Sequence, residues 1–174
     1  MSEQRSAAWF SERLGCVTAS RVADVVAKTK TGWGASRADY AAQLIVERLT
    51  GNPVATYVNK EMDWGTEHEP LARAAYAFHA DVDVIECGFI PHPKIAMSGA
   101  SPDGLVGDVG LVELKCPSSA THLEALLGDP IPQKYIYQMQ WQMACTGRSW
   151  CDYCSFDPRL PEHMRIFIKR VHRD

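Results

Sequence analysis

A chain of 174 residues with 46% hydrophobic content is long enough for one domain with a buried core and short for two. Its formal charge of -3 argues against a protein that holds nucleic acid by bulk positive charge. No uninterrupted apolar run of about 18 residues occurs and no apolar segment follows the polar N-terminus, so the expectation is a single soluble, cytoplasmic domain over 1–174 with no membrane partner.

In chain order, Arg13 to Ser20 is a short polar entry to a helix over Arg21 to Lys28, where Val22, Val25 and Val26 recur at helical spacing and Thr18 or Ser20 caps the start. Lys28 to Ala35, rich in Gly, Thr and Lys, reads as a mobile loop. Ser36 opens a helix to Thr50, stopped by Gly51, that turns Tyr40, Leu44 and Leu49 inward. A further helix runs from Glu67 to His79 with Leu71, Ala74, Ala75 and Phe78 as its apolar stripe and Glu69 in its first turn. Val82 to Ile90, Ile95 to Ser98, Leu105-Val106 and Leu111 to Cys116 read as strands, the last two joined through Asp108-Val109-Gly110. Helices over Thr121 to Leu127 and Gln133 to Cys145 precede strands over Trp150 to Phe156 and His163 to Val171. The order gives an α/β domain, a mixed central sheet flanked by helices.

The chemistry concentrates between Ser101 and Lys115. Asp103 sits at a turn, and in a strand side chains i and i+2 share a face, so Glu113 and Lys115 project together from an apolar run. Burying such charges unpaired is costly, and a divalent cation beside Asp103 and Glu113 removes that cost. Hard oxygen donors favour Mg²⁺ or Mn²⁺ over zinc. Taken separately, Asp103-Gly104 is an ordinary turn dipeptide and Glu-x-Lys an ordinary solvated pair. The six cysteines are scattered and read as reduced and structural, including Cys151 and Cys154, which lack a second pair at zinc-finger spacing. His79, His92, His122 and His163 have no partner spacing and read as surface or core residues, and His68, beside Glu69, points about 100° away from it on a helix.

Trp9 with Arg13 to Ser20, Trp64-Gly65 followed by Glu69, Ser101 to Gly104, Glu113 to Pro117, and Tyr135 with Gln138 to Trp141 fall in an order that resembles the phage lambda exonuclease family of recombination nucleases, within the Pro-Asp/Glu-x-Lys superfamily. The resemblance runs over most of the chain. It implies a restriction-endonuclease-like nuclease core and metal ligands at Glu69, Asp103, Glu113 and the Leu114 carbonyl. It also implies Lys115 as the group that orients or activates water, with two Mg²⁺ ions during catalysis and Mn²⁺ as a substitute. Arg13, Ser20, Ser101 and Gln138 correspond to the family's pocket for a terminal 5′-phosphate, which suits the fork-shaped guanidinium and neutral donors. Read alone, Ser20 is a helix cap, Ser101 a turn residue, Gln138 a buried amide and Glu69 a helix-dipole partner. Tyr135, on the Gln138 face, lines the site or is a core tyrosine. Trp33, an aromatic in a basic loop, is a candidate DNA contact.

The activity implied is 5′-to-3′ degradation of double-stranded DNA ends to 5′-mononucleotides, leaving 3′ single-stranded tails. The implied partners are two further copies in a trimeric ring and a single-strand annealing protein, in a phage or prophage context in a bacterial cell. The same carboxylate-lysine core also serves structure- or sequence-specific endonucleases, and a non-catalytic DNA-binding module is the third reading. Relatives of that family carry further helical sequence beyond the late strands, whereas this chain stops at Asp174 after a basic segment with Arg165, Lys169, Arg170 and Arg173.

Overall fold

The structure is a computed structural model, and it describes residues 3–54 and 60–174. In chain order its elements are α1 (Ala7–Arg13), β1 (Val17–Thr18), a 3-10 turn (Ala19–Arg21), α2 (Val22–Val25), β2 (Lys28–Thr29), β3 (Gly32–Trp33), α3 (Ala35–Thr50), α4 (Lys60–Ala80), β4 (Val84–Ile85), β5 (Ile90–Pro91), β6 (Ser98–Ala100), β7 (Gly104–Val106), β8 (Gly110–Lys115), α5 (Ser119–Leu126), α6 (Gln133–Thr146), β9 (Trp150–Phe156) and β10 (Ile166–His172). They form two compact units.

The first unit holds α1 to α3, Cys87–Ser101 and Gln133–Gly147. Helix α1, not among the expected elements, starts at Ser6, whose hydroxyl accepts the Trp9 N–H at 3.2 Å. The expected helix over 21–28 is only the single turn α2, and Thr18 precedes the 3-10 turn without a side-chain cap. Lys28 to Ala35 is not a loop: it contains the antiparallel β2–β3 hairpin. Strand β6 pairs with β1 in parallel and with β5 antiparallel. Helix α6 lies on β6, where Cys145 meets Ala19 and Ala100, and Trp141 donates to the Gly99 carbonyl at 3.2 Å.

Helix α3 ends as expected at Gly51, left-handed with φ of 67°, whose N–H bonds the Glu47 carbonyl. Tyr40 and Leu44 are buried, but the third inward position is Glu47 and not Leu49, which is 82% exposed. At 100° per residue Leu49 lies far around the helix from Glu47. Glu47 accepts the Gly15 N–H at 3.0 Å, Arg48 donates to the Gly15 carbonyl at 2.7 Å, and the Tyr40 hydroxyl accepts from Thr18 N–H and donates to the Cys16 carbonyl. Four backbone groups of Gly15–Thr18 are thereby held by α3. Only glycine fits at position 15, where φ is 67° and a Cβ would lie 2.6 Å from Arg48 Cγ.

The second unit is a five-stranded sheet in the order β10-β9-β8-β7-β4, with β8 and β9 parallel and every other pairing antiparallel. Alternation along β8 sends Val112 and Leu114 to one face, where they pack with Ala72 and Tyr76 of α4 and with Cys154 and Phe156 of β9. Leu111, Glu113 and Lys115 take the other face. There α5 covers β9 and β10 through buried His122, whose ring bonds Ser155 Oγ at 2.7 Å and the Met164 carbonyl at 2.8 Å. The mixed sheet flanked by helices is thus the core of this unit.

Helix α4 departs from expectation in start and phase. It begins by Lys60, with Glu61 and Asp63 in its first turn, so Glu69 lies well inside it. Its inward stripe is buried Ala72 and Tyr76 with half-buried Ala75, while Leu71 and Phe78 are 56% and 90% exposed. The phase follows the sheet: Tyr76 reaches Asp152 Oδ2 at 2.8 Å, satisfying a buried carboxylate that Arg170 also grips at 2.8 and 2.9 Å. The run 82–90 splits into β4 and β5 in different sheets, and the strand expected at 95–98 is β6 at 98–100.

Candidate functional site

In the sheet unit, Asp103 lies immediately before β7 and its Oδ2 accepts the Leu114 N–H at 2.7 Å. That bond ties the turn to β8 between the two side chains that carry the chemistry. Asp103-Gly104 is therefore not a hairpin turn. Gly104 opens β7 because a Cβ there would lie 2.2 Å from Val84 Cγ1 and 2.9 Å from Val112 Cγ1. Glu113 has no exposed surface and is ion-paired with Lys115, as the two-residue spacing requires. Removing a carboxylate from water carries an effective cost of several kcal/mol, comparable to the ~1.5–3 kcal/mol gained by burying Val112 or Leu114, so its partner is a condition of the strand's stability.

Glu69 comes from α4 and is held by Arg73 Nη2 at 2.7 Å. The same guanidinium donates through Nε to the Asp103 carbonyl at 3.1 Å and through Nη1 to Glu86 at 2.8 Å. Asp103's carboxyl is pushed well above its ordinary range, first by burial and then by the charge on Glu113, with Glu69 adding in the same direction; Lys115 and the Leu114 N–H oppose them. Among the described residues no three His, Cys, Asp or Glu side chains converge as a finished metal shell. Glu69 is turned to Arg73, and Glu113 to Lys115. The donor set nevertheless fits a hard divalent cation: Glu113 and Glu69 both act on the buried Asp103 carboxyl, and added positive charge relieves the penalty on it.

Neighbouring groups do not compete for that role. Cys116 is half-buried and its thiol is pushed up to about 12 by burial and by the charges of Glu69 and Asp103, so it is neutral at pH 7. His68 stacks on Trp64 at 3.6 Å and its Nδ1 lies 3.0 Å from the Trp64 carbonyl. Cys151 and Cys154 are both buried and, three apart on β9, point to opposite faces of the sheet, which rules them out as a chelating pair.

The second cluster lies in the first unit. Ser101 Oγ accepts from Arg13 Nη1 at 3.0 Å and from Trp9 Nε1 at 2.9 Å, and the Arg13 guanidinium lies 4.0 Å over the Trp9 ring. Burial lowers the Arg13 pKa to about 10, against smaller raising effects from Tyr40 and Cys16. A desolvated cation of this kind is stabilised by an anion. Ser20 is exposed in the 3-10 turn, with its hydroxyl 3.4 Å from Thr18 Oγ1, and Gln138 is half-buried on α6. The hydrogen bonds join Arg13 to Ser101; for Ser20 and Gln138 the structure establishes position only. Tyr135, on α6 as well, is half-buried with Lys134 4.8 Å from its ring. Trp33 is 58% exposed on β3, flanked by Arg37 at 3.6 Å and Lys28 at 5.1 Å.

Two residues of these clusters, Trp9 and Arg73, lie outside the candidate site residues that the sequence names. Arg73 had a legible signal, since Glu69 and Arg73 are four apart on a helix, the spacing of a facing ion pair.

A five-stranded mixed sheet with an Asp at the entry to one strand, Glu-x-Lys on the next and a helix-borne Glu is the core of the restriction-endonuclease-like nuclease fold. The chain shares that fold with an alkaline exonuclease from Laribacter hongkongensis at 55% identity and a TM-score of 0.87, covering 97% of this chain and 83% of that one. The complex of that exonuclease with dAMP matches over the same extents with a TM-score of 0.88. A phage-related exonuclease from Haemophilus somnus has the same fold at 14% identity and a TM-score of 0.69, over 91% of this chain and 85% of that one. The chain belongs to the YqaJ-like viral recombinase family, whose profile matches residues 8–149 and so takes in both clusters. An uncharacterised protein of Acanthamoeba polyphaga mimivirus is 26% identical over 170 residues, and the chain, matched over 89% of its own length, spans 30% of that protein's. No described helix is long and apolar enough to cross a membrane.

Proposed function

We propose that this protein is a Mg²⁺-dependent deoxyribonuclease that enters double-stranded DNA at an end and removes 5′-mononucleotides in the 5′-to-3′ direction. The observation that carries the reading is the Asp103–Leu114 hydrogen bond, which sets a destabilised carboxylate beside the Glu113–Lys115 pair. The exonuclease named above, and its complex with a 5′-mononucleotide, support the class of reaction.

Asp103, Glu113 and Glu69, with the Leu114 carbonyl, would hold one or two Mg²⁺ or Mn²⁺ ions. Such ions lower the pKa of bound water, neutralise charge on the phosphate and stabilise the leaving 3′ oxygen. Glu113 keeps the Lys115 ammonium on the site face of β8. From there Lys115 donates toward an attacking water or a phosphate oxygen and stabilises charge gathering on phosphorus. Asp103 is kept in register by the Leu114 N–H. Arg13, supported by Trp9 and Ser101, receives a terminal 5′-phosphate with Ser20 and Gln138 as neutral donors. Trp33 and Tyr135 are candidate strand contacts. A trimeric ring, a single-strand annealing partner for the 3′ tail, and action in the cytoplasm of a phage-infected or lysogenic bacterium complete the reading, resting on family likeness.

The test is digestion of end-labelled linear duplex with and without Mg²⁺, comparing 5′-phosphate with 5′-hydroxyl ends and including a covalently closed circle. The expected result is Mg²⁺-dependent shortening of the linear forms, faster for the phosphorylated end, with the 3′-ended strand surviving. Cutting of the circle would replace the exonuclease by an endonuclease on the same site, and inertness of every substrate would leave a DNA-binding module.

A further inference from the structure

One residue of the sheet unit touches both chain segments that carry the outlying carboxylates, yet is itself neither acid nor nucleophile. Arg73 sits one helical turn beyond Glu69 with a side chain only 13% exposed. Its fork spreads over three acceptors: Glu69 Oε1 at 2.7 Å, the Asp103 main-chain carbonyl at 3.1 Å and Glu86 Oε1 at 2.8 Å. The Asp103 contact is thirty residues away in sequence and is made to the main chain, so it acts on the placement of the turn and not on the charge of its carboxylate. Glu86 is 59% exposed and serves as the outer anchor of the fork.

We propose that Arg73 is a positioning residue that sets Glu69 and Asp103 against each other as ligands for a divalent cation. The proposal rests on the metal-nuclease reading and deepens it. An arginine suits the task because its donors are fixed in one plane and can serve separate acceptors together, whereas a lysine ammonium is a single point on a flexible stem. The charge of Arg73 alone would do the opposite of helping: a cation beside the carboxylates repels a metal ion, so on electrostatics its removal should tighten binding. Positioning predicts the reverse sign, and the two effects can therefore be told apart.

The test is Mn²⁺ binding by the purified, DNA-free protein, followed by isothermal titration and by the electron paramagnetic resonance signal of free Mn²⁺, together with thermal melting in the absence of metal. Arg73→Lys holds the charge constant and removes the fork; it should weaken Mn²⁺ binding by about 10- to 100-fold, the range for lost outer-shell partners. Arg73→Gln should also bind more weakly despite the lost positive charge. In nuclease assays Arg73→Lys should need more Mg²⁺ for half-maximal rate while recovering most of kcat at saturation. Glu86→Gln, at an exposed position, should shift binding in the same direction by less, and serves if the Arg73 variants do not fold. Unchanged or tighter Mn²⁺ binding by folded Arg73 variants, or by Glu86→Gln where only that variant folds, would overturn the proposal. Lack of Mn²⁺ binding by the wild type would remove the metal reading and Arg73's role with it.

Discussion

The sheet unit and the Arg13 cluster carry opposite electrostatic deficits. Around Asp103, burial and the charges of Glu113 and Glu69 penalise a negative group, so the region is improved by a cation. Around Arg13, burial penalises a positive group, so the region is improved by an anion. Each is also organised through the backbone: Asp103 through the Leu114 N–H, and the segment after Arg13 through α3's hold on Gly15 to Thr18.

The largest effect expected on this contrast is at Lys115. Lys115→Ala should lower the rate of nucleotide release from linear duplex by about 10²- to 10⁴-fold, the range for a positioned proton-transfer or charge-stabilising group, while Mn²⁺ binding is kept or tightened and the metal-free protein melts lower because Glu113 loses its partner. Persistent cutting would remove Lys115 from the site. Asp103→Asn should also depress the rate and weaken Mn²⁺ binding. In metal-free protein, however, it should raise Tm by roughly 2 to 4 °C for each kcal/mol of relieved repulsion, because an amide oxygen can still accept the Leu114 N–H. A fall in Tm would mean that the carboxylate is not under the strain inferred for it.

At the cationic end, Arg13→Ala should reduce the advantage of a 5′-phosphorylated over a 5′-hydroxyl end by about 1.5 to 3 kcal/mol, the worth of a charge-assisted contact. An unchanged preference in competition digests would separate the Arg13 cluster from end recognition. The smallest effect sharpens the comparison by using a carboxylate with the opposite tendency. Asp157 is buried, but donation from Arg159 and Ser119 outweighs burial and holds its pKa at about 2, below the ordinary 3.8. A depressed acid contributes stability above its unfolded pKa and loses it as pH falls through the folded one. Asp157→Asn should thus cost about 2 kcal/mol at neutral pH, and the difference from wild type should close between about pH 4 and 2 in urea unfolding. A gap independent of pH would show that packing, not charge, makes Asp157 worth keeping.

Much of the local structure was legible in the residues. Gly51 ends α3 because a left-handed position follows the last turn, and β8, β9, α5 and α6 lie within a few residues of where periodicity and breakers put them. The Glu113–Lys115 pairing was equally legible, since alternation in a strand is a property of the backbone. The first 35 residues were read less well. A seven-residue helix capped by Ser6 and a hairpin of two-residue strands carry too few apolar repeats to stand out from a loop.

The sequence by itself determined which residues carry charge at which spacing: a carboxylate at a turn, a carboxylate and an amine on one strand face, and Glu69 with Arg73 one helical turn apart. Only the tertiary structure decided phase and company. Helical spacing was read as an apolar stripe of Leu71, Ala74, Ala75 and Phe78 on α4; packing on the sheet and the Tyr76–Asp152 bond instead turned Ala72 and Tyr76 inward. Likewise nothing local joins Arg13 to Ser101, 88 residues on, or Arg73 to the Asp103 carbonyl. Periodicity is set by backbone geometry one residue at a time, whereas the identity of a partner is set by which surfaces the folded chain presses together.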